Sequence, residues 1–455
     1  MVNEILSRYV FFPVWEFFSN RNVFKFYHHL NELEKSQWLP KKQIEEIQKN
    51  RIQTLVKHAY KHVPYYRKLF DKNNINYKDI RLKKDLLKIP VLTKEDIQQN
   101  LEKLKANNYK KNMLWVNRTG GSTGTPLIFN RDKTTHEFTR AVDRRFRRWA
   151  YDDIGTKRFQ IWASLYDIKK SKRIKSRIHE YLINHRLINT FDINKQKISE
   201  DIKKIIQFRP KVIHGYASSV YFYSQYIKKH NIEIPEIKSV ITASETLFPH
   251  QRKLIEEVFG CEVFEEYGSR EMSLIAHECK AHDGLHIASE KYIVEVIRNE
   301  NHVKNNEKGK VIITNLVNFA MPFIRYEIGD IAIYSDKKCD CGRNLDKIKS
   351  IEGRITDFLI GENNKLVSGT PMSVPFSKLE GVKEYQIVQK ELRSIDIYIV
   401  KSIYYSQKTK KKINKIMETY IGKGINYNIR AVKKINKSKS GKKRAVICKV
   451  NHEMW

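Results

Sequence analysis

A glycine-rich segment with three hydroxyl side chains is the first stretch of the sequence that could do chemistry. It spans residues 118–126 and reads RTGGSTGTP. Glycines let a backbone turn tightly and present its N–H groups, and hydroxyls add further donors, a combination suited to phosphate oxygens. The candidate contacts are Thr119, Gly120, Gly121, Ser122, Thr123 and Gly124. No Gly-Lys-Ser/Thr follows, so this is not a Walker loop, and an ordinary flexible turn is the alternative.

A second candidate segment, EEYGSREM, spans residues 265–272. Tyr267 can stack on a base, and Gly268 permits close approach of the backbone. Glu271 offers a carboxylate that can hold Mg²⁺ already bound to phosphates. The alternative is the start of a helix with exposed acidic residues.

Three charged residues at later turns complete the set. Asp330, in RYEIGD, ends a strand-like run, where a carboxylate can accept both hydroxyls of a ribose. Arg354, in IEGRITD, follows a glycine and can reach ribose or phosphate. Lys442, in KSKSGKKRAV, precedes a last strand and can neutralise a phosphate. Each could instead be a plain turn residue or a solvated lysine.

The elements between these segments predict an α/β fold. Strand-like runs such as RFQIWAS, KVIHGY and IKSVITAS alternate with amphipathic helices, which indicates a parallel sheet with its ligands at the carboxyl ends of the strands. One helix is predicted over residues 33–72, ended or bent by Pro64. A second is predicted after a capping box at Thr93, and a third is predicted to end at Gly155. Consecutive strands from residue 285 predict an antiparallel or barrel-like subdomain.

Two domains follow from this organisation. We expect a large domain over residues 1–357, which includes a helical extension at 1–44. A small α+β domain is expected over residues 358–455, and the family resemblance given below implies that it is a mobile lid.

The charge balance is strongly basic. Lysine and arginine total 86 against 51 acidic residues, a formal net charge of +35. Such a charge suits nucleic acid, an anionic membrane surface or an anionic substrate, or it is a solvated lysine-rich surface. The chain has no helix-turn-helix, zinc-finger or Arg/aromatic RNA motif, so no nucleic acid is expected.

The cysteine count and the first residues predict a cytoplasmic protein. Five cysteines in 455 residues do not make a disulfide framework, and the first thirty residues do not resemble a signal peptide. Residues 9–18, YVFFPVWEFF, are aromatic-rich and precede Arg21 and Lys25. This segment could lie on the inner face of an anionic membrane as a peripheral contact, but packing on the protein's own body is favoured.

Taken in order, these segments resemble the plan of the adenylate-forming superfamily. The similarity is greatest to phenylacetate–CoA ligases and their relatives, which include the CapK proteins of capsular polysaccharide clusters and synthetases that adenylylate a deazaflavin. LVKHAYKHVPYYRKLF, DLLKIPVLTKEDI, VIHGYASS, TASETL and MPFIRYEIGDIA also resemble this branch. The resemblance covers roughly residues 45–445.

The resemblance implies a role for each segment. The glycine-rich segment would hold the β- and γ-phosphates of ATP, and Glu271 would coordinate Mg²⁺, although Arg270 stands where relatives often have Ser or Thr. Asp330 would bind ribose with help from Arg354, Asp357 would be a domain hinge, and Lys442 would contact the acid and the α-phosphate. Lys439 or Lys443 could compete for that last role. The adenine pocket would be lined by Ser244, Glu245, Glu266 and Tyr267.

The Cys/His residues form two short clusters, ECKAHDGLH and CDCGR, which suit tetrahedral zinc. Spacing alone leaves His282 and His286 as alternative ligands, and unliganded thiols are the further alternative. The resemblance selects Cys279, His286, Cys339 and Cys341, with His282 in reserve, as a structural Zn²⁺ site.

The function implied is ATP-dependent activation of a carboxylic acid, from a small molecule or a sugar-linked group, through an acyl-adenylate. Its acyl pocket would lie near His214, Tyr216 and Ser218, unless these only pack a strand end. The candidate acceptors of the acyl group are coenzyme A, a carrier protein and a sugar amine. The pathway implied is surface polysaccharide synthesis. The alternatives are transfer of AMP to a hydroxyl and a non-catalytic nucleotide-binding component of a polysaccharide complex.

Overall fold

The computed structural model describes residues 2–19, 21–118, 127–162, 174–189, 195–354, 358–362, 366–368, 372, 375–376, 379–435 and 444–450. The chain forms two compact units. The first comprises residues 1–328 and 333–350, and the second comprises residues 329–332 and 351–455. The predicted domain boundary at residue 357 stays a prediction, because residues 355–357 lie outside the described residues.

The helices follow the amphipathic segments of the sequence. In chain order the α-helices are α1 (Glu4–Leu6), α2 (Phe12–Phe18), α3 (Val23–Ser36), α4 (Lys41–His62), α5 (Pro64–Lys72), α6 (Lys94–Gln99), α7 (Lys133–Trp149), α8 (Ile174–Leu182), α9 (Lys195–Phe208), α10 (Ala217–Lys229), α11 (Pro249–Phe259) and α12 (Gln407–Tyr420). A π-helical segment (Ser7–Phe11) joins α1 to α2, and short 3₁₀ helices cover Tyr77–Asp79, Lys83–Lys88 and Lys111–Met113.

The strands of the first unit begin with a hairpin and then build one sheet. They are β1 (Leu114–Arg118), β2 (Ile128–Asp132), β3 (Arg158–Trp162), β4 (His185–Asn189), β5 (Val212–Tyr216), β6 (Ser239–Ala243), β7 (Glu262–Ser269), β8 (Ser273–Glu278), β9 (Leu285–Ile287), β10 (Tyr292–Arg298), β11 (Asn301–His302), β12 (Lys308–Asn315), β13 (Tyr326–Ser335) and β14 (Lys347–Arg354). Parts of β13 and β14 belong to the second unit.

The large sheet has twelve strands in the order β11-β10-β12-β13-β14-β9-β8-β7-β6-β5-β3-β4. Strands β4, β3, β5, β6 and β7 are parallel, and β7 is antiparallel to β8. Every residue of β5 and β6 is buried, because α9, α10 and α11 cover the parallel strands. The predicted α/β class is therefore confirmed, and the antiparallel strands continue the same sheet.

Two predictions about helix ends have different outcomes. The capping box at Thr93 is confirmed, since the N–H of Asp96 donates to Thr93 Oγ1 and the N–H of Thr93 donates to Asp96 Oδ2. The helix predicted to reach Gly155 ends at Trp149 instead. Asp152, which follows the helix, is fully buried and pairs at 2.6 Å with Arg158, the first residue of β3.

The predicted helix over residues 33–72 is in fact three helices. It is interrupted after Ser36, where Pro40 caps the start of α4, and again at Pro64, which opens α5. Proline fixes its own φ and lacks an N–H, so it suits the first turn of a helix and not its interior. The prediction that Pro64 ends or bends the helix is confirmed, since α4 ends at His62 and Pro64 begins α5.

The second unit is a small α+β fold, as the sequence predicts. Its strands are β15 (Phe358–Ile360), β16 (Leu366–Ser368), β17 (Val382–Glu391), β18 (Ser394–Lys401), β19 (Asn426–Ala431) and β20 (Val446–Cys448). The four-stranded sheet has the order β19-β18-β17-β20, and α12 packs Ile413 and Met417 into its apolar core.

Candidate active site

The carboxyl ends of the central parallel strands lie in register. Ile161 pairs with Gly215, Tyr216 pairs with Ala243, and Ala243 pairs with Glu266. The loops that leave β3, β5, β6 and β7 therefore start from one edge of the sheet. This is the edge at which open α/β sheets bind ligands.

A buried ion pair and a histidine occupy this edge. The Nε2 of His214 lies 2.9 Å from Glu266 Oε1, and Arg147 contacts the same carboxylate at 3.3 Å. Although burial raises the pKa of Glu266, Arg147 and His214 hold it well below its usual value. Burial lowers the pKa of His214, so a neutral imidazole donates its Nε2 proton to an ionised Glu266.

The same histidine has a second ring nitrogen aimed at no described group. Its Nδ1 is buried and has no hydrogen-bond partner among the residues that the structure describes. With the proton on Nε2, Nδ1 is an acceptor. A buried acceptor of this kind costs about 1–3 kcal/mol unless a donor reaches it, which a bound ligand can supply.

Aromatic rings stand beside His214. The ring of Trp162, at the end of β3, lies 4.5 Å from that of Tyr216 and 5.3 Å from that of His214 between centroids. The aromatic rings of Trp162 and Tyr216 can contact an apolar acyl group. Trp162 was not among the predicted site residues, although it ends a strand whose carboxyl end was predicted to face the ligand.

The loops after β5 and β6 are hydrogen-bonded to each other. Glu245 Oε2 accepts the N–H of Ser218 at 2.9 Å, at the N-terminal turn of α10. Ser244, just before it, has a positive φ of 68°, which turns the chain sharply at the end of β6. The structure thus brings a predicted adenine residue, Glu245, together with a predicted substrate residue, Ser218.

Glu271 lies on the tight turn between β7 and β8. Its Oε1 accepts the hydroxyl of Tyr326 at 3.2 Å, which fixes one oxygen of the carboxylate. Gly268, just before the turn, is required by space, because a Cβ there would lie 2.5 Å from the carbonyl oxygen of Ser273. Tyr267 is buried on the same strand.

Arg131 holds this turn from the side. Its Nη2 donates to the carbonyl oxygens of Arg270 at 2.9 Å and Glu271 at 2.8 Å, and its Nη1 donates to Ser273 Oγ at 3.0 Å. The sequence did not single out Arg131, and its only signal was a charge within an otherwise strand-like run. Lys291 and Tyr292 donate to the carbonyl oxygen of Met272, so the whole turn is anchored.

The strand that carries Arg131 also follows the glycine-rich segment. Residues 119–126 lie outside the described residues, but Arg118 on one side pairs with Ile128 on the other. The segment is therefore the connection of the β1–β2 hairpin. Through Arg131, β2 ties this hairpin to the turn of Glu271.

The remaining predicted residues are placed only in part. Asp330 is a buried residue of β13. The backbone of Arg354 ends β14. Asp357 and Lys442 lie outside the described residues, so the hinge and the lysine role stay predictions.

A Cys/His cluster lies apart from these groups in the sequence. Cys279, His286, Cys339 and Cys341 offer ligand atoms that all lie within 4.8 Å of one another. The Sγ atoms of Cys279 and Cys339 are 3.6 Å apart, and Cys341 Sγ lies 3.3 Å from His286 Nε2. His282 instead pairs with Glu278 and Glu262, so it is not part of the cluster.

The chain is similar in sequence to CapK proteins and to phenylacetate-coenzyme A ligases. Residues 359–449 match the family described as the CapK C-terminal domain. Protein CapK of Staphylococcus aureus is 27% identical over 369 residues, which is 78% of each chain. The phenylacetate-coenzyme A ligase of Thermus thermophilus is 23% identical over 79% of this chain and 81% of its own.

The fold matches a solved ligase over nearly its whole length. The 2-hydroxyisobutyryl-CoA ligase, in its postadenylation state with an acyl-AMP, superposes with a TM-score of 0.72, covers 90% of each chain and is 16% identical. The chain is thus similar in sequence to CapK and to phenylacetate-coenzyme A ligases, and it has the fold of an adenylate-forming ligase. In this CapK-like protein, the carboxyl edge of β3, β5, β6 and β7 and the anchored turn of Glu271 form the candidate active site.

Proposed function

We propose that the protein activates a carboxylic acid with ATP through an acyl-adenylate. The observation that carries this proposal is the link made by Arg131, which fastens the Glu271 turn to the strand that follows the glycine-rich segment. A carboxylate suited to a metal is thereby tied to β2, the strand that follows a segment suited to phosphates.

The reaction joins two anions. An oxygen of the substrate carboxylate forms a bond to the α-phosphorus of ATP, and the bond to the bridging oxygen breaks, so that pyrophosphate leaves with the electron pair. Catalysis must therefore be positioning and charge neutralisation. When bound, Mg²⁺ supplies positive charge on the phosphate oxygens.

Different residues of the chain have different proposed roles in this reaction. Glu271, with its orientation set by Tyr326, would hold the metal, and the hydroxyls of Thr119, Ser122 and Thr123 would bind phosphates. Lys442 neutralises charge at the reacting atoms. Asp330 and Arg354 bind the ribose. Each of these roles is what the family resemblance implies. The structure describes the side chains of Glu271, Tyr326 and Asp330, whereas residues 119–126 and Lys442 lie outside the described residues.

The acid enters against the aromatic residues beside β5. The ring of Trp162 lies against those of His214 and Tyr216 there, and the buried Nδ1 of His214 can accept a hydrogen bond from a donor on the acid. Ser218 stands at the N-terminal turn of α10, where a negative charge is favoured.

A thiol or an amine takes the acyl group in the second step. Coenzyme A is the acceptor named for the Thermus relative, and an amine on a sugar is the acceptor that capsular polysaccharide chemistry would use. We propose surface polysaccharide synthesis as the pathway, on the strength of the name CapK alone.

The Cys/His cluster holds a structural Zn²⁺ in this proposal. Zinc bonds of about 2.3 Å to sulfur and about 2.0 Å to nitrogen, arranged tetrahedrally, require S···S and S···N separations of about 3.8 and 3.6 Å. The measured separations of 3.6 and 3.3 Å are close to these values. A disulfide is not formed, since all the cysteines are free thiols.

The test is a screen of carboxylic acids for acid-dependent exchange of pyrophosphate into ATP. We expect Glu271→Gln to lower the exchange rate by about 100-fold, because a carboxylate that holds the metal is lost. Glu262→Gln is the matched control, since Glu262 is the first residue of β7, at the end of that strand far from the Glu271 turn. Lys442→Ala should lose exchange, whereas Lys439→Ala and Lys443→Ala should not.

Two results would count against the proposal. One is exchange that needs no acid, and the other is a stable product in which AMP is joined to a hydroxyl of the substrate. The second result would select adenylyl transfer as the activity.

A further inference from the structure

The first helical segment of the chain buries polar side chains and exposes apolar ones. Along residues 4–18, the side chains turned toward the protein include polar ones, and those turned toward solvent are apolar. The exposed apolar residues, called here the outer stripe, are Ile5, Leu6, Tyr9, Val10, Val14, Phe17 and Phe18. Their spacing of three to four residues places them on one face of the helix.

The polar contacts on the inner face fix this orientation. Glu16 has a fully buried side chain that pairs with Arg140 and with Arg21 at 3.2 Å. The hydroxyl of Ser7, also fully buried, donates to the carbonyl oxygen of Leu182 at 2.7 Å. Rotating the helix to hide the outer stripe would expose or break these contacts, and a buried unpaired carboxylate is costly.

A second helix extends the apolar surface. In α8, Ile174, Ile178 and Tyr181 are exposed at helical spacing. The two helices are adjacent, since the ring of Trp15 stacks on that of His179 at 4.6 Å between centroids. We call the outer stripe and these three residues the apolar surface.

The extent of exposure is unusual for a protein in water. Phe17 and Phe18 are 77% and 74% exposed, and nearby Phe24 of α3 is 85% exposed. Single exposed apolar residues are ordinary, but a contiguous group marks a surface that is covered by something else. The sequence pattern alone favours packing of this segment on the protein's own body, and the structure divides the segment between a packed polar face and an exposed apolar one.

The positive charge of the chain favours an anionic lipid surface over a second copy of the chain as the partner of the apolar surface. The formal net charge of the chain is +35, so a second copy brings an equally positive partner, whereas an anionic lipid surface attracts it. The two acidic residues of the segment are both engaged, Glu4 with Lys211 and Glu16 with its arginines. Lys25 and Arg177 are exposed nearby.

We propose that the apolar surface docks this protein onto an anionic phospholipid bilayer. The helix of residues 4–18 lies in the interface with its aromatic side chains among the lipids, and the surrounding positive charge contacts the headgroups. This inference rests on the apolar surface and the charge, and it stands whether or not the acyl-adenylate activity is found.

The test is flotation of the full chain with lipid vesicles. Vesicles of phosphatidylcholine with phosphatidylglycerol should carry the protein upward at low salt, and vesicles of phosphatidylcholine alone should carry much less. The double variant Phe17→Ser/Phe18→Ser should lower the partition coefficient by about tenfold or more, because two apolar side chains leave the interface. Circular dichroism and the thermal midpoint establish that the variant is folded.

A matched control separates this surface from apolar exposure in general. Ile403 and Tyr404 of the second unit are also strongly exposed, so Ile403→Ser/Tyr404→Ser should float like the unchanged protein. If the first variant does not fold, Ile178→Ser on α8 replaces it and should also weaken flotation.

Three results would overturn the proposal. They are no flotation with the anionic vesicles, equal flotation of the Phe17/Phe18 variant, and equal losses in the variant and the control. A vesicle-free dimer that the Phe17/Phe18 variant abolishes in sedimentation velocity would assign the surface to a second copy instead.

Discussion

Replacing Arg131 with lysine tests whether the anchored turn positions Glu271 for catalysis. Arginine makes three hydrogen bonds to this turn, to the carbonyl oxygens of Arg270 and Glu271 and to Ser273 Oγ, at 2.9, 2.8 and 3.0 Å. Lysine keeps the positive charge but has a single nitrogen, so we expect it to retain one of the three bonds.

The magnitude follows from the bonds that are lost. At about 1 kcal/mol of net stability for each of two bonds, the free energy of unfolding should fall by about 2 kcal/mol. A turn that shifts by about 1 Å should lower the rate of acid-dependent pyrophosphate exchange by about 100-fold. The rate should recover in part at high Mg²⁺ concentration, because the defect lies in the position of the metal-binding carboxylate.

The control is Arg67→Lys. Arg67 likewise donates from Nε and Nη2 to two carbonyl oxygens, those of Tyr60 and Lys61, at 3.2 and 2.9 Å. It lies on α5, far along the chain from the Glu271 turn. Urea unfolding and exchange are measured on both variants. If the Arg131→Lys variant exchanges pyrophosphate as fast as the Arg67→Lys control, the positioning role of Arg131 is refuted.

Three further predictions concern other groups. Burial lowers the pKa of Lys291 to about 7, so above that pH the unfolded chain binds more protons than the folded one. Stability in urea should therefore rise by up to about 1.4 kcal/mol per pH unit from about pH 7 to 10, and Lys291→Met should remove that slope. Metal analysis should find about one zinc ion per chain, lost in Cys341→Ser but kept in the control His282→Asn; a metal-free unchanged protein would contradict the zinc site. His214→Gln, which can keep a donor to Glu266 but loses Nδ1, should raise the KM for the acid by about tenfold with little change in kcat; an unchanged KM would remove His214 from the acid pocket.

The strand-end residues could be predicted from the sequence because local patterns determine them. The apolar runs of β5 and β6 and the helices between them predict a parallel sheet, and the residues that follow such strands must meet at one edge. The positions of Tyr216, Glu245 and Glu266 along the sequence, close to predicted strand ends, are therefore enough to predict that they lie near this edge of the sheet.

Long-range contacts could not be predicted in the same way. Arg131 reaches a turn about 140 residues later in the chain, and the sequence around it only predicts a strand. Likewise, the exposure of Phe17 depends on Glu16 pairing with Arg140, a contact between α2 and α7. Helical spacing shows which residues share a face, but only the buried partner of Glu16 decides which face points outward.

Isotope transfer tests the acyl-adenylate most directly. With an active acid labelled with ¹⁸O in its carboxylate and a suitable acceptor, mass spectrometry of the nucleotide product should find one ¹⁸O atom in AMP, because a carboxylate oxygen attacks the α-phosphorus. Unlabelled AMP, or release of ADP and phosphate in place of AMP and pyrophosphate, would contradict the account.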